Sequence, residues 1–159
     1  MPGQDSASHP TEAIFRRKTV AASEGLLRVL RKAVECYGDD LDCFVIYLAV
    51  AMASTGWTQR RPDLLAGLPS SGTLPDELHR PVSRRAIAAS TGLPRESVRR
   101  KIAQLVEMGF LVEEPRGVRT RSGVILERSN TEFANTLIRE MERSAAELAR
   151  LDAAAEPGR

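Results

Sequence analysis

The segment "TGLPRESVRRKI", residues 91–102, holds Arg95, Arg99, Arg100 and Lys101 within seven positions. A guanidinium is a rigid fork of N–H donors that fits phosphate oxygens and the N7/O6 edge of guanine. An ammonium offers phosphate a point charge. Glu96 and Ser97 lie among these cations, and a carboxylate there can accept from cytosine N4 or orient Arg100. The chemistry on offer is recognition of anions and base edges. The plainer alternative is the solvated basic face of an amphipathic helix. Catalysis has little to work with. No Gly-rich phosphate loop is present, and His9, His79, Cys36 and Cys43 form no nucleophile or metal pattern. Neither a cofactor nor a metal is expected.

The elements that must position these residues can be read from spacing. Val98, Ile102 and Leu105 recur at helical intervals and define a buried face. Arg95, Glu96, Arg99 and Arg100 then face outward, with Ser97 near the edge. The helix is predicted from Pro94 to Met108, ending at Gly109. Before it, Ser83 caps a two-turn helix, "RRAIAAS". Ala88 stands four residues before Gly92, and Val98 six after it. A small residue at 88 lets the second helix cross, and Gly92 tolerates the left-handed backbone of a tight turn. Leu93, Val98, Ile102 and Leu105 are expected to lock against Ile87. Next, "FLVEE" reads as a strand, "PRGVRTRSG" as a turn-rich loop with three arginines, and "VILE" as a second strand. Helix, Gly turn, helix and two-stranded ribbon make a winged helix-turn-helix.

The stretch "VSRRAIAASTGLPRESVRRKIAQLVEMGFLVEEP" resembles the reading heads of the GntR and IclR families of bacterial transcription regulators. The likeness covers residues 82 to about 128. The chain's size and flanking helices are more like MarR-type regulators, although "RGVRTRSG" lacks that family's Asp-x-Arg wing. The resemblance implies a regulator that binds double-stranded DNA. A recognition helix presents its first turns to the major groove, so Arg95, Glu96, Ser97, Arg99 and Arg100 are the expected base contacts. Arg84, Arg85 and Lys101 are expected on phosphates. Arg116, Arg119 and Arg121 are expected on the wing, along the backbone or in the minor groove. A winged helix that docks a protein instead of DNA is the alternative.

Charge distribution favours the anion. Residues Arg80 to Arg128 hold eleven Lys/Arg against five Asp/Glu, although the whole chain is only +2. The flanks are therefore acidic.

The fold class expected is mainly α: a winged helix-turn-helix with a small two-stranded β-wing and flanking N- and C-terminal helices. Residues 1–10 are expected to be a flexible N-terminus. Helices are expected over 11–54, divided near Ser23–Gly25 and restarting after "YGDD", and including a buried helix at Cys43–Ala53. Eleven apolar residues there fall short of the ~20 a membrane span needs. No membrane association is expected, and with no secretory signal in "MPGQDSASHP" a cytoplasmic location is expected. Aromatics are only 4% of the chain, so aliphatic residues should build the core. Residues 55–81 form a long Pro/Gly-rich connection with at most one short helix, near Asp63–Ala66. Trp57 is either a core plug or part of a pocket for an unknown small-molecule effector. A C-terminal helix over 129–154 carries a seam of Phe133, Leu137, Met141, Leu148 and Leu151. That seam either folds back on the chain's own N-terminal helix or joins two chains in a homodimer. Residues 155–159 form a flexible tail.

Overall fold

The computed structural model describes residues 9–38, 40–68 and 73–155. Of the expected flexible ends, 1–10 and 155–159, residues 1–8 and 156–159 lie outside them, and His9, Pro10 and Ala155 belong to helices. The described residues divide into two compact units, 33–131 and 9–32 with 132–155.

The first unit is the winged helix-turn-helix, mainly α as expected. Asp40 caps α2 (Leu41–Thr55), its carboxylate accepting from the backbone N–H of Asp42 at 2.9 Å. Ser83 caps α4 (Arg84–Thr91) by accepting from the Ala86 N–H at 3.2 Å. Gly92 ends α4 at φ 71°, its N–H bonded to the Ala88 carbonyl at 3.0 Å. A Cβ at Gly92 would meet nothing within 4 Å, so this position needs the left-handed backbone and not the space. Pro94 stands just ahead of α5 (Arg95–Glu107). Val98, Ile102, Leu105 and Ile87 are fully buried, and α2 packs against both α4 and α5. A short helix, α3 (Pro62–Ala66), and two 3-10 turns, Gly56–Arg60 and Asp76–Leu78, occupy the connection.

Four aromatic side chains, Tyr37, Phe44, Tyr47 and Phe110, cluster at the centre. Tyr37 lies 4.9 Å from Tyr47 and 5.2 Å from Phe110 between ring centroids. Aliphatic side chains make up most of the buried residues, as expected, and four of the few aromatics are concentrated in this cluster. The Tyr37 hydroxyl donates to Asn130 Oδ1 at 2.8 Å, and Asn130 Nδ2 donates to the Val124 carbonyl at 2.9 Å, all of it buried. Trp57 acts as a clamp on the connection. Its Nε1 donates to the Leu78 carbonyl at 3.1 Å, and the Arg80 guanidinium lies 3.8 Å over its ring.

The wing departs from expectation. β1 (Leu111–Glu114) pairs antiparallel with β2 (Gly117–Thr120), so the second strand lies inside the stretch expected to be loop. "VILE" is instead a 3-10 turn, Val124–Leu126. The cause is pairing at a distance: Val118 also exchanges hydrogen bonds with Val82, at 2.7 and 2.9 Å. Gly117, at φ 148°, permits this, since a Cβ there would stand 2.1 Å from the Val82 carbonyl oxygen.

α2 is also less enclosed than its composition implies. Cys43, Phe44, Ile46, Tyr47 and Val50 are buried, whereas Leu41, Val45, Leu48 and Met52 form an exposed stripe. Segment Leu41–Arg60 is long and apolar enough to cross a membrane by length and composition alone. Its inner face packs against α4, α5 and β2, which is what a core helix does.

The second unit pairs the N-terminal helix, α1 (His9–Cys36), with the C-terminal helix, α6 (Arg128–Ala155). Ion pairs Lys32–Glu132 at 3.3 Å, Arg28–Glu140 at 2.7 Å and Lys18–Asp152 set them antiparallel. α1 is continuous through Ser23–Gly25, where a division was expected. Gly25 serves close approach instead, for a Cβ there would stand 2.2 Å from Ser144 Oγ of α6. The expected seam is used within one chain, with Phe133 and Leu151 buried and Leu137 and Leu148 half-buried. Met141 is left 46% exposed and Ile138 56% exposed.

Candidate nucleic-acid interface

α5 owes its two faces to sequence spacing. With Val98, Ile102 and Leu105 inward, Arg95, Glu96, Arg99 and Arg100 are exposed and Ser97 is half-buried. The cations differ in what they already hold. Arg99 donates to Glu96 twice, Nε to Oε2 at 3.0 Å and Nη2 to Oε1 at 2.6 Å. The carboxylate of Glu96 orients Arg99, one turn on, and not Arg100 as its position had implied. The hydrogen bond from Arg99 holds Glu96 below the usual carboxylate range. Arg95 and Arg100 make no hydrogen bond or ion pair with a described residue.

Lys101 is directed elsewhere. Its ammonium hydrogen-bonds the Asp40 carboxylate, and its side chain is only 14% exposed. That hydrogen bond raises Lys101 above the ordinary lysine range and lowers Asp40 below the ordinary aspartate range. The expected phosphate contact is thus turned toward the cap of α2, because Lys101 sits one residue before the buried Ile102 rather than on the outer face.

On α4, Arg84 Nη2 meets Glu113 Oε1 at 2.5 Å, while Arg85 is exposed with no described partner. The three wing arginines separate similarly. Arg116 lies exposed in the two-residue turn between β1 and β2, again with no described partner. Arg119 lies within β2 and is 12% exposed, held by Asp76 and Glu114 at 2.9 Å each. Arg121 follows β2; its Nε donates to the Gly109 carbonyl at 2.7 Å and its Nη2 to Glu127. Both support the wing from behind, and only Arg116 reaches its tip.

The exposed cations without a described partner in this unit's basic elements are therefore Arg85, Arg95, Arg100 and Arg116. They belong to α4, the first two turns of α5 and the wing tip, the three parts of this fold that approach a duplex. Sequence spacing identified all four but did not separate them from Lys101, Arg119 and Arg121.

Residues 76–115 match the family of the IclR helix-turn-helix domain. The match takes in α4, α5 and β1 and leaves α1, α2 and α6 outside. No curated protein and no solved structure matches the chain. The matched segment is a helix-turn-helix of the type that bacterial transcription regulators carry, and it supports DNA-binding transcription regulation as the general function.

Proposed function

We propose that the protein is a sequence-specific double-stranded DNA-binding transcription regulator of the cytoplasm, acting as a homodimer. α5 enters the major groove. Arg95 and Arg100 contact base edges, the Glu96–Arg99 pair reads or steers beside them, and Ser97 lies at the groove's edge. Arg84 and Arg85 hold phosphates, and Arg116 carries the wing onto the backbone or into the minor groove. The observation behind this is the set of free cations on α4, early α5 and the wing tip. An arginine already held by a carboxylate must break that bond to meet DNA, and a free one need not.

Dimerisation is supported by the α1–α6 pair, which leaves Phe15, Leu26, Leu27, Ile138 and Met141 exposed. Two helices alone cannot enclose an apolar core, and a second copy completes a four-helix arrangement. Two reading helices then meet half-sites about one turn (~34 Å) apart. A small-molecule effector fits the same reading, since the 55–81 connection borders a cavity beside the wing.

Selection of bound sequences from a random duplex pool tests the proposal. A recovered palindrome supports a dimeric reader; a pool that stays random after several rounds contradicts sequence specificity. The alternative, a winged-helix module that docks protein, has one observation in its favour, the exposed stripe of Leu41, Val45, Leu48 and Met52 on α2. An Arg95→Ala/Arg100→Ala chain separates the two, since loss of DNA binding with unchanged thermal stability belongs only to the DNA reader.

A further inference from the structure

A cavity of about 250 Å³ lies inside the 33–131 unit, between α2, the Gly56–Arg60 turn, the end of β2 and the Val124–Leu126 turn. Leu74, Val124 and Ile125 give it apolar walls. Most of its polar groups are already satisfied. Thr55 Oγ1 donates to the Ala51 carbonyl at 2.9 Å and Thr58 Oγ1 to the Thr55 carbonyl at 2.7 Å. His79 Nε2 donates to the Leu74 carbonyl at 3.3 Å, which leaves Nδ1 to accept from Thr120 Oγ1 at 2.9 Å.

Tyr47, Gln59 and Thr73 also line the cavity, and their side chains make no hydrogen bond to a described residue. Of the three, only Tyr47 is buried as a residue, at 5% exposed, and its hydroxyl keeps some accessible surface, which the cavity provides. Burial and the nearby Glu127 push its pKa up to about 12, so it remains a donor at neutral pH. Arg121, in the same wall, uses Nε and Nη2 on Gly109 and Glu127.

We propose that this cavity binds a small, mostly apolar molecule, about one substituted aromatic ring, whose single hydrogen-bond acceptor takes the Tyr47 hydroxyl. Size sets the ring: an apolar cavity of about 150 Å³ accommodates benzene, and drug-sized sites begin near ~300 Å³. The walls set the rest, being apolar on several sides, with the Tyr47 hydroxyl an unused donor at a residue that is otherwise buried. The net charge in the wall is small, because Arg121 is held by Glu127, so a neutral acceptor fits better than an acid. Bound there, the molecule stiffens the wing. Thr120 and Arg121 belong to the cavity wall, the Arg121 N–H bonds the Phe110 carbonyl at 3.2 Å, and Phe110 packs 5.5 Å from Tyr47. The proposal rests on the effector part of the function proposed above, but its test needs no DNA.

Fluorine NMR on the full chain, with 4-fluoroacetophenone, 4-fluorotoluene and 4-fluorobenzoate at millimolar concentration, tests it. 4-Fluoroacetophenone is expected to bind roughly 5- to 10-fold more tightly than 4-fluorotoluene, the difference one buried hydrogen bond makes. Tyr47→Phe should remove that difference and leave 4-fluorotoluene unchanged. Ala51→Leu, which fills the cavity from the opposite wall, should abolish binding of both, with circular dichroism showing that each variant is folded. Amide exchange at Thr120 and Arg121 should slow when the ketone binds. Absence of binding by all three probes overturns the site. Equal binding of ketone and hydrocarbon overturns the role of Tyr47, tighter binding of the benzoate overturns the neutral class, and unchanged exchange overturns the coupling to the wing. If the chain proves unable to bind DNA, each of these results still stands.

Discussion

Arg99 and Glu96 are joined by two hydrogen bonds, 3.0 and 2.6 Å long, across three residues of one exposed helix face. The pair makes one of the strongest candidate base contacts conditional. Arg99 reaches a duplex either with Glu96 still attached, as a preset donor–acceptor unit, or after leaving it.

Glu96→Gln removes the carboxylate's charge and loosens that hold. Affinity for random duplex should rise as Arg99 becomes free to meet DNA and a negative charge leaves the interface. Anisotropy titrations measure this. An unchanged affinity would place Arg99 away from DNA.

Lys101 and Asp40 stabilise the fold across a pH window. Asp40 titrates below its ordinary range, so its contribution is complete above the unfolded aspartate pKa and is lost as pH falls through the lowered folded value. Lys101 titrates above its ordinary range, so its contribution is lost only as pH rises through the raised folded value. Asp40→Ala also removes the cap of α2, and should cost about 0.5–2 kcal/mol at neutral pH. Urea melts at pH 7 and pH 3 should show the difference from the unsubstituted chain shrinking in acid. Lys101→Ala should lower stability while leaving the DNA salt slope unchanged.

Tyr37→Phe leaves the buried Asn130 Oδ1 without its donor and should cost about 1–3 kcal/mol. Thermal unfolding measures this. A loss well under 1 kcal/mol would mean that water replaces the hydroxyl.

Met141→Glu together with Ile138→Glu puts charge on the open face of the α1–α6 pair. Sedimentation should then report one chain where the unsubstituted protein reports two. A second charge in each half of a dimer interface is costly because it is desolvated.

What the sequence disclosed follows the range of the interactions. The turn at Gly92, the cap at Ser83 and the inward set Val98, Ile102 and Leu105 are local, and spacing alone located them. β2 was missed because its place is decided by Val82, far back in the chain, and by the close pass at Gly117. The continuity of α1 was missed because Gly25 answers to Ser144 of a helix at the other end of the sequence. The candidate site divides in the same way. That Arg95 and Arg100 face outward follows from helix geometry. That Lys101 is engaged follows from Asp40, 61 residues away, and that Arg119 is engaged follows from Asp76, 43 residues away. No periodicity carries such pairings.

The most direct measurement is fluorescence anisotropy of a labelled random duplex titrated with the protein at low and at moderate salt. The chain should bind at low salt with a steep negative log–log slope. The Arg95→Ala/Arg100→Ala chain should fold equally well and bind markedly more weakly, because both arginines of the groove-facing turns are gone. Absence of binding at the lowest salt, or equal affinity of the two proteins, would contradict a DNA-reading role for α5.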